Sequence, residues 1–331
     1  MTHRITIEGE PRVIDAAPGE TVLAAAERVG IRLPHSCTLG NCGTCRVQLL
    51  EGSVSYDSQP LALSSEEASR GLALACQARP ASDVVIAIDR APVAEPSRQQ
   101  AMITDIQPLT ADVTHLSIIL PELDPFVFLP GQYMDVLLED GSRRSFSMAS
   151  RPEGNAADFH IRRIRGGRFT RDLPERLQPG DMLDVELPLG TFRFHPEDYR
   201  ALAFVATGTG IAPIKAMLEA LLDDPDCPPV SLYWGMRKEA DLYLAETIRS
   251  WEGRLYDFRF VPVLSRAGAS WAGRRGHVQH AVVEDLPDLS DHSVYLCGSP
   301  SMIADAKSNF LGHGASADHL YTEGFSLAPS A

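Results

Sequence analysis

The sequence predicts a three-domain chain that combines the α+β and α/β classes: an α+β unit with a mixed sheet, a small antiparallel β-barrel, and a doubly wound parallel α/β sheet. Three observations predict it. Short alternating strands and a helix surround a cysteine-rich loop in residues 1–90, short strands alternate with Pro-Gly or Asp-Gly turns in 101–198, and fully apolar strands alternate with helices from 199. The length of 331 residues suits about 150 residues per domain.

Composition narrows the class of protein further. Hydrophobic residues make up 44% of the chain and charged residues 22%, which is typical of a globular domain rather than a disordered one. The net charge of −14 without a basic patch predicts no nucleic-acid partner. No apolar run reaches the length of a membrane span, and the N-terminus lacks a signal-peptide core, so we expect no membrane association and a cytoplasmic location. Clustered cysteines in that reducing compartment indicate metal or redox chemistry.

The predicted elements of the first domain are a hairpin, a helix ending at Gly30, a strand, a short acidic helix and a last strand, at 4–14, 21–29, 46–50, 64–67 and 84–88. Two prolines and the absence of periodicity predict a semi-rigid linker over 91–100. Barrel strands are predicted at 114–120, 133–138, 159–164 and 182–187. The last domain, 199–331, shows buried strands at 201–206, 230–234, 258–263 and 293–297, with a helix at 211–222.

Four cysteines carry the strongest chemical signal. Three are spaced C-x4-C-x2-C and the fourth follows after 30 residues: Cys37, Cys42, Cys45 and Cys76. Gly40 and Gly43 let this loop turn tightly and bring amide groups towards bound sulfide. The spacing is that of plant-type 2Fe–2S proteins. A structural zinc site is the alternative, but zinc favours paired C-x2-C knuckles. Residues 1–90 as a whole resemble a plant-type ferredoxin domain, which implies the β-grasp fold.

A second motif, Arg144-Ser145-Phe146-Ser147, lies at the end of a predicted barrel strand. A guanidinium binds pyrophosphate well, Phe146 offers an aromatic face to a flavin, and the Ser147 hydroxyl is placed for the flavin N5. A polar strand with an exposed arginine is the plain alternative. About 20 residues later a turn with Gly166, Gly167 and Thr170 offers amides and a hydroxyl to phosphate. Together these resemble the flavin barrel of the ferredoxin–NADP reductase superfamily, whose motif is R-x-[YF]-S.

That resemblance implies FAD rather than FMN, because the ferredoxin domain here is N-terminal. It also implies that Arg162 or Arg163 contacts the flavin phosphates, with a solvated strand face as the alternative. Near the C-terminus, Phe325 is the candidate aromatic that covers the flavin in such proteins, and core packing is the alternative.

The third motif joins an apolar strand to a helix through Thr207-Gly208-Thr209-Gly210, with Pro213 in the first helical turn. Gly208 and Gly210 permit close backbone approach, and the helix N-terminus favours a pyrophosphate. Cys297-Gly298-Ser299-Pro300 closes a later parallel strand at the carboxyl edge, where ligands bind in such sheets. By resemblance to the same superfamily, Thr209 and Cys297 flank the nicotinamide. The alternatives are a plain tight turn and a buried core thiol.

Basic residues follow two of the parallel strands and bear on the choice of nucleotide. Arg237, Lys238 and the pair Ser265-Arg266 are placed to bind a 2′-phosphate, which would favour NADPH, whereas ordinary surface arginines would leave NADH as the donor. We favour NADH, because many NADH-using relatives with an N-terminal ferredoxin domain also carry basic residues here.

The resemblance covers nearly the whole chain. It is to the reductase components of Rieske-type ring-hydroxylating oxygenases and O-demethylases, with the terephthalate dioxygenase reductases and CDP-6-deoxy-glucoseen reductases similar through their Tyr-Trp-Gly-Met and Cys-Gly-Ser-Pro runs. It implies that electrons pass from NADH or NADPH through FAD and a 2Fe–2S cluster to a separate oxygenase. It also implies that Ser147, Thr209, Cys297 and Phe325 take part directly in the reaction. Such proteins are usually monomers, so we expect a monomer here. A reductase that supports a deoxysugar dehydrase is the alternative. A docking or iron-storage protein without turnover is disfavoured by the complete motifs.

Overall fold

The computed structural model describes residues 2–35, 38–41, 43–88, 94–164, 167, 169–170 and 173–325. It divides the chain into two compact units. The first comprises Met1–Pro92 together with Thr322–Ala331, and the second comprises Val93–Tyr321. The second unit contains both the antiparallel barrel and most of the parallel sheet.

The first unit is built on a five-stranded mixed sheet with the order β2-β1-β7-β3-β5. The central pair β1–β7 is parallel and the other pairs are antiparallel. A two-stranded antiparallel sheet of β4 and β6 lies beside it. The elements are β1 (His3–Ile7), β2 (Ile14–Ala16), α1 (Val22–Arg28), β3 (Arg46–Glu51), β4 (Val54–Ser55), α2 (Ser65–Ser69), β5 (Leu72–Leu74), β6 (Arg79–Pro80) and β7 (Val84–Ala87).

Local signals in the sequence explain where the two helices of this unit begin. The Thr21 side chain accepts a hydrogen bond from Ala24 N at 3.2 Å and caps α1. Helix α2 starts with a complete capping box, in which Ser64 and Glu67 each accept from the other's backbone N–H. The apolar face of α1 packs into the same core as the sheet and as two of the motif cysteines, Cys45 and Cys76.

The second unit opens with a six-stranded sheet of order β11-β10-β13-β8-β9-β12. All of its pairs are antiparallel. An isolated antiparallel bridge between Met148 and Phe159 joins the two ends of this order and closes a barrel. The elements are β8 (Ser97–Pro108), β9 (Val113–Ile119), β10 (Tyr133–Leu137), β11 (Arg143–Ser147), β12 (Ala156–Arg162), α3 (Leu173–Arg176) and β13 (Met182–Leu189).

A six-stranded sheet of order β17-β16-β15-β14-β18-β19 follows, and its strands from β17 to β18 pair in parallel. The order reverses between β14 and β18, and this is the switch point at which such sheets bind ligands. The elements are β14 (Ala201–Thr207), α4 (Ile211–Leu221), β15 (Val230–Met236), α5 (Ala245–Arg249), β16 (Phe258–Leu264), β17 (Arg274–Arg275), α6 (Val278–Asp285), β18 (His292–Gly298), α7 (Pro300–Gly312) and β19 (Leu320–Gly324). The predicted fold class is confirmed.

One boundary differs from the sequence prediction. Strand β8 begins at Ser97, inside the segment predicted as a linker over 91–100. It pairs with β13 from its first residue, since Ser97 lies opposite Leu187. The alternating pattern there is weak because outward-facing polar residues dominate the start of the strand, so composition alone indicated a linker. Residues 91–93 lie outside the described residues.

A stability prediction arises from the turn between the barrel and the parallel sheet. Tyr199 has the left-handed backbone conformation, φ 50 and ψ 41, which costs a non-glycine residue about 1–2 kcal/mol. Its side chain is 92% exposed, so its removal sacrifices little packing. We expect Tyr199→Gly to raise the free energy of unfolding of this unit by about 0.5–1 kcal/mol.

Tyr256 is the matched control, because it is also exposed but is not among the residues with positive φ. There, a glycine only adds freedom to the unfolded chain, so Tyr256→Gly should lower stability by about 0.5–1 kcal/mol. Chemical denaturation of both variants checks the opposite signs. Destabilisation by both substitutions would contradict the argument from backbone strain.

Candidate functional site

The cysteine loop of the first unit has a backbone that only a glycine-rich segment adopts easily. Gly40 has φ +73 and Gly43 has φ +86. A Cβ on Gly40 would lie 2.9 Å from Pro60 Cβ, so the loop also needs this position empty. Its carbonyl accepts from Ala62 N at 2.9 Å, and the Thr38 carbonyl accepts from Gln77 Nε2 at 2.7 Å. The loop is thus fixed both to segment 60–62 and to the residue after Cys76.

Two of the four predicted ligands are described, and the fold brings them together. Cys45 precedes β3 and Cys76 follows β5, and these strands pair with Arg46 opposite Leu74. Ala75 N donates to Cys45 O at 2.9 Å, which places Cys76 beside Cys45, and both side chains are buried. Cys37 and Cys42 lie outside the described residues. Two buried cysteines next to the ends of neighbouring strands, one of them close in sequence to a left-handed glycine loop, fit the thiolate ligation of an iron–sulfur cluster.

The pKa of Tyr56 is shifted by burial and by the charges of the two described motif cysteines. Burial raises the pKa of its hydroxyl, and the negative charge of the Cys45 and Cys76 thiolates raises that pKa further, whereas a hydrogen bond from Leu74 N lowers it. The hydroxyl accepts that bond at 3.2 Å. The phenol therefore stays neutral at physiological pH.

The predicted flavin motif lies on β11, at the seam where the barrel closes. Phe146 packs against Phe169 with ring centroids 5.5 Å apart, and Ser147 is buried opposite Tyr133 on β10. Arg144 Nη1 donates to Arg143 O at 2.6 Å. The Ser145 hydroxyl donates to Asp135 at 2.6 Å, so this serine holds the strand in place within the barrel.

A cluster of buried carboxylates and one arginine stabilises the same strand, β11. Arg143 pairs with Glu186 and reaches Asp135 at 3.5 Å. Both carboxylates are buried, and they lie opposite each other on β10 and β13. Losing Arg143 would leave two buried carboxylates without this cation, which is a costly arrangement. The sequence analysis missed this cluster, although charged residues within an otherwise apolar strand are a signal for it.

The Gly-rich turn after β12 is described only in part. A Cβ on Gly167 would lie 2.5 Å from the Thr170 hydroxyl, so this position requires glycine. The buried Thr170 hydroxyl accepts from Ile164 N at 3.2 Å, and its own hydrogen is left to donate. Binding of a phosphate group by this turn stays a prediction. Gly166 lies outside the described residues.

The predicted nucleotide residues meet at the switch point of the parallel sheet. A Cβ on Gly210 would lie 2.4 Å from Cys297 O, and a Cβ on Gly298 would lie 2.1 Å from the Thr207 hydroxyl. That hydroxyl accepts from Ser299 N at 3.3 Å. The turns after β14 and β18 therefore pack backbone against backbone, and only glycines permit this.

The remaining residues of these turns are placed as follows. Gly208 has φ +59, Thr209 is buried, and the Cys297 side chain is fully buried at the end of β18. Among the described residues no side chain caps the first turn of α4, and a helix N-terminus of this kind favours an anionic group such as a pyrophosphate. Contact of Thr209 and Cys297 with a nicotinamide stays a prediction.

Arg162 lies near both Asp112 and the nucleotide turn. Its Nε lies 3.2 Å from Asp112 Oδ2, and its Nη1 is 3.9 Å from the position of a Cβ on Gly208. The guanidinium thus lies where the flavin barrel faces the nucleotide turn. Its predicted contact with flavin phosphates stays a prediction, and Arg163 pairs with Glu175 at 3.4 Å.

A cavity of about 620 Å³ lies at the ends of β15 and β16, where the adenosine side of a dinucleotide is expected. Lys238 and Arg266 line it together with the carboxylate of Glu239. Arg266 N donates to Arg237 O at 2.9 Å, so Arg237 is adjacent. Phe325 lies half-buried just after β19, and its flavin-covering role stays a prediction.

The structure adds residues that the sequence analysis did not select. Trp234 Nε1 donates to Gly208 O at 3.0 Å, Lys215 Nζ donates to Ala149 O of the barrel at 2.7 Å, and Tyr243 lies 3.3 Å from His160 Nδ1. These contacts connect residues that are far apart in sequence, so no local pattern marks them.

In the described ranges, no helix is long and apolar enough to cross a bilayer.

Three family models match the chain in succession. Residues 5–81 match a 2Fe-2S iron-sulfur cluster binding domain, residues 100–194 an oxidoreductase FAD-binding domain, and residues 204–308 an oxidoreductase NAD-binding domain. The predicted cofactors and the predicted oxidoreductase class are thereby confirmed. The boundaries between these three matches fall between the three large sheets of the structure.

Curated relatives extend over almost the full length. The chain is 34% identical over 309 residues to CDP-6-deoxy-L-threo-D-glycero-4-hexulose-3-dehydrase reductase of Yersinia pestis, covering 92% of this chain and 93% of the relative. It is 33% identical over 335 residues to terephthalate 1,2-dioxygenase reductase component 1 of Comamonas sp., covering 100% and 99%. With the reductase subunit of an aromatic O-demethylase from Amycolatopsis sp. it shares 35% over 342 residues, covering 99% and 100%.

Solved structures agree with these relatives. The crystal structure of the Amycolatopsis cytochrome P450 reductase GcoB superposes with a TM-score of 0.75 at 33% identity, covering 99% of this chain and 100% of that one. The ferredoxin reductase in carbazole 1,9a-dioxygenase gives 0.70 at 27% identity, covering 98% and 99%. From these matches together with the sites described above, the chain belongs to the ferredoxin–NADP reductase-like family of iron–sulfur flavoprotein reductases that carry an N-terminal 2Fe–2S ferredoxin domain.

Proposed function

We propose that this protein takes hydride from reduced nicotinamide dinucleotide and passes single electrons to a separate Rieske-type oxygenase or demethylase that acts on an aromatic compound. The observation that carries the proposal is the approach of the nucleotide turn to the flavin barrel, where Arg162 of β12 lies beside Gly208. A nucleotide held on the N-terminus of α4 is thereby directed towards the barrel.

The chain's own residues supply binding and orientation for this reaction. When bound, FAD supplies two-electron chemistry and the 2Fe–2S cluster supplies one-electron chemistry. Arg144, Phe146 and Ser147 are the residues that would hold the flavin, and the α4 N-terminus with Gly208 and Gly210 would hold the dinucleotide. Cys45 and Cys76, with Cys37 and Cys42, would ligate the iron. No general acid or base is needed, because the nicotinamide donor delivers its hydrogen together with both electrons.

A protein acceptor suits the surface beside the cysteine loop. Leu39 and Leu61 are 43% and 50% exposed, and their segments are joined by the Gly40–Ala62 hydrogen bond. Exposed leucines next to a predicted redox centre offer apolar contact to a docking protein. Relatives that serve a terephthalate dioxygenase and an aromatic O-demethylase favour an oxygenase as that protein.

A deoxysugar dehydrase is the second candidate acceptor, because the Yersinia relative serves a 4-hexulose-3-dehydrase. The deciding experiment mixes the purified reductase and NADH with a terephthalate dioxygenase, an aromatic O-demethylase or a hexulose dehydrase, each in turn. We expect product from an aromatic substrate only when an oxygenase is added. Product from the dehydrase alone would replace the first candidate with the second, and no NADH oxidation with any acceptor would refute both.

We further propose that the chain works as a monomer in the cytoplasm, where a reducing environment keeps the cluster ligands as thiolates. Light scattering of the iron-loaded protein checks the first statement, and fractionation of the producing cells checks the second.

We propose NADH as the donor. The cavity at the ribose end contains Glu239 beside Lys238 and Arg266, and a carboxylate accepts a hydrogen bond from a ribose 2′-hydroxyl but repels a 2′-phosphate. We expect Glu239→Gln to raise kcat/KM for NADPH about fivefold, the modest size expected for one solvent-screened charge. Its kcat/KM for NADH should change by less than about twofold.

Steady-state kinetics with both nucleotides checks this, and Glu246→Gln on α5 is the matched control, because Glu246 is exposed and does not line the cavity. The prediction is wrong if the wild type already prefers NADPH, or if the control gains as much as the Glu239 variant.

A further inference from the structure

A polar row on β12 faces the nucleotide-binding sheet. Phe159 and Ile161 point into the barrel core, so Asp158, His160 and Arg162 point outwards by the alternation of a strand. Outward residues of a barrel are normally exposed, yet His160 is only 7% exposed. Parts of the parallel-sheet region therefore cover it.

Tyr243 provides a direct link from this row to the nucleotide turn. Its hydroxyl lies 3.3 Å from His160 Nδ1, in hydrogen-bond contact. The rings of Tyr243 and Trp234 form a T-shaped contact, with centroids 5.3 Å apart and planes at 90°, which is a favourable aromatic geometry. Trp234 in turn donates to Gly208 O at 3.0 Å. One continuous path of contacts thus joins the barrel to the backbone of the turn.

Burial and the nearby charges keep His160 and Tyr243 each in one protonation state. Burial, together with the positive charges of Lys215 and His115, lowers the pKa of His160 to about 3, and only Asp158 opposes this shift. Burial also raises the pKa of Tyr243, with Asp112 adding to the rise. A neutral imidazole therefore contacts a neutral phenol throughout the physiological pH range.

We propose that Tyr243 is a positioning residue: through His160 on one side and Trp234 on the other, it fixes the Gly208 turn relative to the flavin barrel. The path contacts the carbonyl of Gly208 and not the cavity at the ribose end, so we expect it to affect the geometry of hydride transfer more than the affinity for the dinucleotide. This inference rests on the proposed function, because it needs hydride to cross from the turn to the barrel.

The test measures the rate of flavin reduction and the affinity for the nucleotide separately. Tyr243→Phe keeps the ring but removes the hydroxyl, and Tyr256→Phe at an exposed tyrosine is the matched control. We expect the limiting rate of flavin reduction by excess NADH to fall about tenfold in the Tyr243 variant, because small misplacements cost large factors in rate. The dissociation constant for NAD⁺, titrated separately on the oxidised holoenzyme, should change less than about twofold.

Variants at His160 supply a second measurement. Asparagine places a polar side-chain atom near the position of Nδ1, so His160→Asn should keep most of the rate, whereas His160→Leu should lose as much as Tyr243→Phe. The double variant Tyr243→Phe/His160→Leu should lose no more than either single variant, since both break one link.

The results discriminate between the possible outcomes. An unchanged rate in Tyr243→Phe, an equally weakened NAD⁺ affinity, or additive losses in the double variant would overturn the proposal. A lower melting temperature with no difference between the asparagine and leucine variants would also overturn it, because that is what a purely structural role produces. Failure of the proposed function is recognised separately, since the wild type would then not be reduced by NADH.

Discussion

Replacing Cys76 by alanine is expected to leave a protein without iron that still oxidises NADH. The thiol is buried beside Cys45, and the loss of one thiolate removes a quarter of the predicted ligand set. Reduction of a protein acceptor should fall on the order of 100-fold or more, since even partners outside the ligand shell alter metal sites by 10–100-fold. NADH–ferricyanide activity should persist, because Arg144, Phe146, Ser147 and the nucleotide turns lie in the second unit.

Cys227→Ala is the matched control, because this cysteine is also buried but lies in the second unit, outside the four-cysteine motif. Metal analysis, the visible spectrum and both activities should be unchanged in that variant. Iron retained at the wild-type level in Cys76→Ala, or zinc found in the wild type in place of iron, would contradict the assignment of the motif.

The extent of sequence-based prediction differed between the fold and the site. Period-2 and fully apolar runs predicted most barrel and parallel strands to within a few residues, because burial on one or both faces of a sheet leaves a local pattern. Strand β8 was not predicted at all, because its outward residues hide the alternation. The glycines at 208, 210 and 298 were found because a tight backbone leaves a mark in the sequence itself.

The unpredicted part of the site has a common physical cause. His160, Lys215 and Tyr243 act through contacts between residues far apart in the sequence: Tyr243 and His160 are separated by 83 positions, and Lys215 and Ala149 by 66. A buried histidine on the outer face of a barrel strand looks the same in sequence as an exposed one. Only the tertiary structure shows what covers it, so the link between the barrel and the nucleotide turn required coordinates.

Substituting Gly210 by alanine is expected to disable the nucleotide site while leaving the iron–sulfur unit intact. The new Cβ would lie 2.4 Å from Cys297 O and 2.7 Å from Cys297 C. Both are backbone atoms of a buried strand, so they cannot move aside as a side-chain tip can. The turn after β14 must shift away from β18, at a cost of about 1–3 kcal/mol for overpacking. We expect the rate of flavin reduction by NADH to fall on the order of 100-fold.

Two further glycines calibrate this effect. Gly312→Ala near the end of α7 should be silent, because nothing lies within 4 Å of the added Cβ and no positive φ is involved. Gly208→Ala should be intermediate: its nearest neighbour is Arg162 Nη1 at 3.9 Å, but its φ of +59 disfavours alanine. Stopped-flow reduction, with the cluster spectrum as a check of the first unit, should rank the losses as Gly210, then Gly208, then Gly312. A Gly210 variant as fast as the Gly312 variant would mean that close packing of the two turns does not shape the nucleotide site.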